Sequence, residues 1–224
     1  LLELDAGLKP GLPIAEALQL DDQIFDLKIT PNRADCFCVA GVARDLAAAT
    51  GVPFRAPVVA PVAAVIDAVC PVTISSRDDC AVFVSRVIRD VRSGVQSPFW
   101  LRERLRRSGI RSISPVVDVT NYVMLEMGQP LHAYDMDTLS GGLSVRRAVP
   151  GEKLQLLTGD EAALDASVLV IADARGAVGM AGIMGGASTG VTESTQNVVL
   201  ESAFFKPAVI AGRARRHGLQ TDAA

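Results

Sequence analysis

Histidine is nearly absent from this chain. There are 2 in 224 residues, His132 and His217, so chemistry that needs an imidazole has two places to be. Lysine is scarce too, confined to Lys9, Lys28, Lys153 and Lys206, and the basic side chains are otherwise arginine. A formal net charge of -3 gives no overall positive field to draw in nucleic acid. The 4 cysteines (Cys36, Cys38, Cys70, Cys80) form no Cys-x-x-Cys pair and stand far from both histidines. That spacing argues against a zinc site, so no metal is expected, and for reduced, packed thiols in a cytosolic protein. No apolar run is long enough for a membrane-spanning helix, and no signal peptide is evident; a cytoplasmic location and no membrane partner are expected. Walker loops, dinucleotide fingerprints and His-Glu-x-x-His are missing as well.

What is present suits an ordered globular protein: 49% hydrophobic residues, 19 Gly and 12 Pro. The length fits one large domain, or a domain with a fragment of another. The start at Leu1 without Met and the end at Ala224 read as a piece of a longer polypeptide. Leu1–Leu4 and the alternating Ile24–Ile29 read as strands. Residues 34–51 read as a helix with Asp35 as N-cap and Gly51 as terminator. Residues 53–61, rich in Pro, Val and Ala, are the best linker. The expected division is residues 1–60, a partial flanking domain with linker, and residues 61–224, the main domain.

Beyond it, Pro71–Ser75 and Val82–Ile88 read as strands, and Ser97-Pro98 opens a helix that Gly109 ends. Arg111–Pro115 forms a turn, and Asp118–Met127 a second helix stopped by Gly128. His132 is placed in a loop after Pro130, where a turn or core histidine and a site residue stand about even. The pattern then turns β-rich through Glu152–Leu157, Val168–Ala172, Val178–Ile183 and Val198–Glu201, before a last helix from Pro207 to Arg216. Runs of strands with irregularly spaced helices imply an α+β fold, with mixed or antiparallel sheet and flanking helices.

The chemistry concentrates between Gly179 and Phe205. Gly179, Gly182, Gly185, Gly186 and Gly190 fall within 12 residues, a density that lets backbone approach backbone or ligand closely. Val198-Val199-Leu200 then ends on Glu201. A carboxylate behind three apolar residues needs a partner or waits to receive one; the plainer reading is a solvated Glu at a strand end. Arg102, Arg104, Arg106, Arg107, Arg213, Arg215 and Arg216 suggest a phosphate-binding surface or simply solvated helix faces. Arg111 stands apart from them, on a turn beside Gly109. His217 fits a helix C-terminus, where a cation complements the dipole.

Several stretches together resemble one family. Ile29-Thr-Pro-Asn-Arg-Ala-Asp35 with Gly41-Val-Ala-Arg-Asp-Leu46 is similar to the flanking domain of the bacterial phenylalanyl-tRNA synthetase beta subunit. Val116–Val123, Gly128-Gln-Pro-Leu-His-Ala-Tyr-Asp135, Gly182-Ile-Met-Gly-Gly186 and Gly212–Ala223 resemble that subunit's editing domain. The resemblance implies hydrolysis of tyrosine wrongly esterified to tRNA(Phe). Glu201 matches the position that reads the phenol, and Gly185 a position beside it. His132 and Arg111 match positions near the terminal adenosine and scissile ester; Thr221 and Ala223 match the pocket wall. It further implies an alpha subunit as partner in an alpha2-beta2 heterotetramer. It implies no cofactor for this segment, with ATP and magnesium serving the whole enzyme. The family continues past Thr-Asp-Ala with a Ser, where this chain has Ala224, so the C-terminal end of the domain is expected to be truncated.

Overall fold

The computed structural model describes Leu4 and residues 7–219. Thr221, Ala223 and the strand expected over Leu1–Leu4 therefore fall outside the described residues, Leu4 itself excepted. The helices are α1 (Ile14–Ala17), α2 (Val39–Thr50), α3 (Phe99–Arg107), α4 (Pro115–Met127), α5 (Pro207–Ile210) and α6 (Arg213–Arg216). The strands are β1 (Val72–Ile74), β2 (Cys80–Ile88), β3 (Leu131–Asp135), β4 (Leu143–Arg147), β5 (Lys153–Gln155), β6 (Glu161–Ala163), β7 (Leu169–Ala172), β8 (Ala177–Met180), β9 (Met184–Gly185) and β10 (Val198–Phe205).

The strands form a five-stranded sheet, β1-β4-β7-β8-β9, a three-stranded sheet, β2-β10-β3, and the hairpin β5-β6. Among the described residues only the β1–β4 pairing is parallel. The fold class is α+β with mixed and antiparallel sheets. Tyr134, Val199 and Val87 from the three-stranded sheet join Leu143, Val145, Leu169 and Ile171 from the five-stranded one in a single core cluster. A second cluster joins Val170, Ala172 and Met180 to Leu154 and Ala162 of the hairpin. Strand β7 is buried at all four positions because alternate residues serve the two clusters. That is why its sequence is an unbroken apolar run instead of an alternating one.

The helical side is tied together by Asp118, which is fully buried. Its carboxylate accepts from Ser97 Oγ (2.5 Å), Ser112 Oγ (2.5 Å) and the Ile113 backbone N–H (2.8 Å). It joins the entry to α3, the loop after it and α4. Arg107 leans back to Asp22 (2.5 Å) and to the Gln19 carbonyl (2.9 Å), holding the N-terminal segment against α3.

Several local expectations change. Ile24–Ile29 forms no strand, and Ile24 and Phe25 are 66% and 76% exposed; alternation marks a face, but a strand also needs a neighbour to bond. The expected helix over 34–51 is a 3-10 turn, Ala34–Cys36, followed by α2, whose N-cap is Cys38, accepting from Gly41 N at 3.2 Å. Asp35 is instead engaged by Arg33 at 3.0 Å, and Arg33 also reaches Asp45 on α2 at 2.7 Å. Ser97 does not cap α3, because its hydroxyl goes to Asp118. Helix α4 starts three residues early, at Pro115, capped by Ser114. The last helix is two short ones, since Gly212 sits at φ 74 and breaks it. His132 lies on strand β3, not in a loop.

Candidate functional site

Strand β10 is the middle strand of its sheet, and this places Glu201. In the antiparallel register Glu201 stands opposite His132 on β3 and Ser85 on β2. The period of two puts Tyr134 on the same face as His132, two residues along β3. His132, Tyr134 and Glu201 thus share the inner face of the three-stranded sheet. Facing them is the glycine-rich β8–β9 turn. Together these elements line a cavity of about 370 Å³ that includes His132, Tyr134, Gly179, Met184, Gly185 and Glu201.

Glu201 is 6% exposed. Its Oε2 accepts the Tyr134 hydroxyl in a short hydrogen bond, and Oε1 has no hydrogen-bond partner among the described residues. Burial pushes its carboxyl up from the ordinary 4.5 to about 7, with the Tyr134 hydroxyl acting in the opposite direction. The Tyr134 phenol is raised well above its ordinary value by burial first and by the Glu201 charge second. His132 packs edge-on against Tyr134, with centroids 4.5 Å apart and planes at 86°. Its Nε2 is buried with no hydrogen-bond partner among the described residues, and burial lowers its pKa to about 4. The imidazole is therefore neutral at physiological pH, with an unfilled nitrogen.

Gly185 is fixed by contact. A Cβ there would stand 2.7 Å from His132 Nε2 and 3.0 Å from Leu157 Cδ1, and closer still to His132 Cε1. Any side chain would push into the imidazole or the cavity. Gly186–Gly190 carries the Gly-x-Ser-x-Gly spacing of a nucleophile elbow. Ser188, however, is exposed on the 3-10 turn Ala187–Thr189 instead of a strand-to-helix turn, and no histidine hydrogen-bonds it.

The structure brings Glu201, His132 and Gly185 to one cavity. Arg111 is exposed and is not among the lining residues; it sits on the loop whose next two residues, Ser112 and Ile113, are held by Asp118. In the arginine-rich helices, Arg106 pairs with Glu103 at 2.9 Å and Arg107 with Asp22, so part of that charge is used within the fold. Tyr134 was not singled out in the sequence. Its signal was the spacing from His132, which carries meaning only once Leu131–Asp135 is known to be a strand.

The site is thus a buried carboxylate on the central strand of a sheet, lining a cavity faced by glycine-rich backbone. Residues 79–224 match the family profile described as the B3/4 domain, and the chain belongs to that family. It is similar throughout to proteins named phenylalanine–tRNA ligase beta subunit. It is 51% identical over 222 residues to that of Photorhabdus laumondii, covering 99% of this chain. It is 50% identical over 223 residues to that of Yersinia pestis, and 51% identical over 222 residues to that of Nitrosococcus oceani. The chain spans 28% of the length of each of these relatives. Among solved structures, an N-terminal fragment of the phenylalanyl-tRNA synthetase beta subunit from Pyrococcus horikoshii matches with a TM-score of 0.46 and 17% identity, over 88% of this chain and 64% of that one.

Proposed function

We propose that this chain is the editing segment of a phenylalanine–tRNA ligase beta subunit, preceded by part of a flanking domain that ends near residue 60. Its substrate is tRNA(Phe) carrying tyrosine in error, and its reaction is hydrolysis of that ester. The observation that carries the reading is Glu201: a carboxylate buried at the floor of the cavity with one oxygen unpartnered.

The need for such a group follows from the chemistry of the two amino acids. Tyrosine differs from phenylalanine by one hydroxyl, and an apolar synthetic site rejects an added hydroxyl only about a hundredfold. A second site that demands the hydroxyl reaches roughly 10⁴–10⁵, because the amino acid lacking it leaves a buried polar atom unpaired. The tyrosine phenol donates to Oε1 of Glu201. Gly185 leaves space beside the ring. The neutral His132 accepts a hydrogen bond from the attacking water or a ribose hydroxyl of the tRNA through Nε2. With its pKa at about 4, His132 orients the nucleophile and is a poor general base near neutrality. Rate then comes from positioning the water and from polar groups around the ester. Arg111, exposed on its braced loop, meets the tRNA outside the cavity.

No Lys or Arg is among the cavity-lining described residues, so the pocket does not fit a nucleoside triphosphate with its magnesium. ATP and magnesium belong to aminoacylation elsewhere in the enzyme, and no step here passes through them. The alpha subunit is the expected partner, in an alpha2-beta2 assembly.

The test is deacylation of Tyr-tRNA(Phe) and Phe-tRNA(Phe) by the complete beta subunit joined to alpha. Wild type is expected to hydrolyse the tyrosyl ester selectively, and Glu201→Ala to lose at least ~100-fold of that selectivity. An intact enzyme that leaves Tyr-tRNA(Phe) untouched would make the domain a tRNA-binding or subunit-bracing module instead.

A further inference from the structure

Glu201 does not await its ligand as a bare carboxylate. Its Oε2 is already held by a phenol of the same chain, that of Tyr134. Tyr134 pairs with Val199 on β10, two residues from Glu201 on the same face. It is 1% exposed, wedged edge-on against His132. Across the cavity, β8 borders the hydroxyl without crowding it: a Cβ at Gly179 would stand 4.0 Å from the Tyr134 oxygen, an ordinary contact distance. The ring is held by His132 and the hydroxyl by Glu201.

We propose that Tyr134 is a positioning and specificity residue of this site. Its hydroxyl clamps one oxygen of Glu201 and turns the other to the cavity, where the incoming phenol donates to it. The inference rests on the reading of the cavity as a tyrosyl-ester editing site. Two phenols then share one carboxylate, an internal one that stays and a substrate one that comes and goes.

The clamp has a physical reason. An unpartnered glutamate in an apolar wall takes up a proton and turns freely. As an acid it still bonds a phenol, but charge-assisted hydrogen bonds are roughly twice as strong as neutral ones. The Tyr134 hydrogen bond opposes the upward push of burial on Glu201, so it keeps the ionised acceptor available near neutrality. The other groups facing Glu201 do not titrate in the same range. On β3 these are His132, neutral above about 4, and Tyr134 itself, raised well above its ordinary value. Cys80 on β2, and Cys70 beside Tyr134, are pushed above the ordinary thiol value of 9.0 by burial. Strands β8 and β9 present Gly179, Met180, Met184 and Gly185, none of which titrates.

The experiment follows deacylation of Tyr-tRNA(Phe) and Phe-tRNA(Phe) across roughly pH 5.5–8.5. It uses the complete beta subunit with its alpha partner, as wild type, Tyr134→Phe, Glu201→Gln and the double variant. Tyr134→Phe keeps the ring and removes only the hydroxyl. It is expected to move the midpoint for tyrosine selectivity up by about one pH unit. Discrimination then falls ~5-fold at neutral pH and recovers in alkali. In the Glu201→Gln background the same change is expected to add nothing. If Tyr134→Phe keeps the wild-type midpoint and discrimination while Glu201→Gln loses selectivity, the role of Tyr134 is overturned and the editing site stands. A loss in Tyr134→Phe that is the same at every pH marks a structural role and overturns it as well. A wild-type enzyme without tyrosine-selective deacylation overturns both.

Discussion

Asp118 and Glu201 are both carboxylates sealed inside the molecule, 0% and 6% exposed, and they are surrounded differently. Asp118, among helices, receives two hydroxyls and a backbone N–H within 2.8 Å. Glu201, between sheets, receives one side-chain hydroxyl among the described residues and lines a cavity. Equal burial thus hides an unequal count of donors. A carboxylate with its donors filled stabilises what it ties together. One left short of donors costs stability until a ligand completes it.

The comparison breaks most sharply at Asp118. Asp118→Ala strands three donors and unties α3, the following loop and α4. It should lower stability by about 3–5 kcal/mol in urea unfolding, or prevent folding outright. A loss under about 1 kcal/mol would place the two acids in the same class.

Next is the pH dependence of stability. Glu201 has a folded pKa raised to about 7 from 4.5. The stability this lends is fully present below 4.5 and is lost as pH rises through about 7. The shift amounts to about 3 kcal/mol. His132 has a folded pKa lowered to about 4 from 6.5. The stability it lends is present above 6.5 and is lost as pH falls through about 4, by up to about 3 kcal/mol. Between 4.5 and 6.5 the two slopes oppose, so their effects offset. Glu201→Gln should expose a rise in stability with pH across that window, and His132→Gln a fall. Denaturant midpoints measured at several pH values check both signs, and parallel curves for the two variants would contradict the assignment.

Smallest is the effect at Gly185. Gly185→Ala drives a methyl into His132 and Leu157, an overpacking expected to cost about 1–3 kcal/mol. It should also narrow the cavity, so that thermal unfolding and deacylation both suffer. An alanine variant with full activity and unchanged Tm would show that the imidazole yields freely.

Much of the fold was legible because it rests on local rules. Gly51 and Gly128 close α2 and α4 at φ 74 and 77, as their places after apolar periodic runs predicted. Strands β2, β7 and β10 lie where the apolar runs are. Glu201 stood out as an acid closing such a run. Less visible was β3, because Pro130 masked a five-residue strand as a turn, and with it the alignment of His132 and Tyr134. The N-terminal alternation misled for the complementary reason: Ile24–Ile29 has a strand's pattern and no strand beside it among the described residues.

By itself, then, the sequence determined the caps, the apolar runs and the presence of one acid in an apolar setting, since each depends on neighbours a few residues away. Only the tertiary structure decided what that acid meets. Tyr134 and Glu201 are 67 residues apart in the chain and meet because β3 and β10 pair in one register. A slip of one residue in that pairing would put the two side chains on opposite faces of the sheet. The cavity, the unfilled oxygen and the internal phenol beside it are consequences of that pairing, which no local pattern encodes.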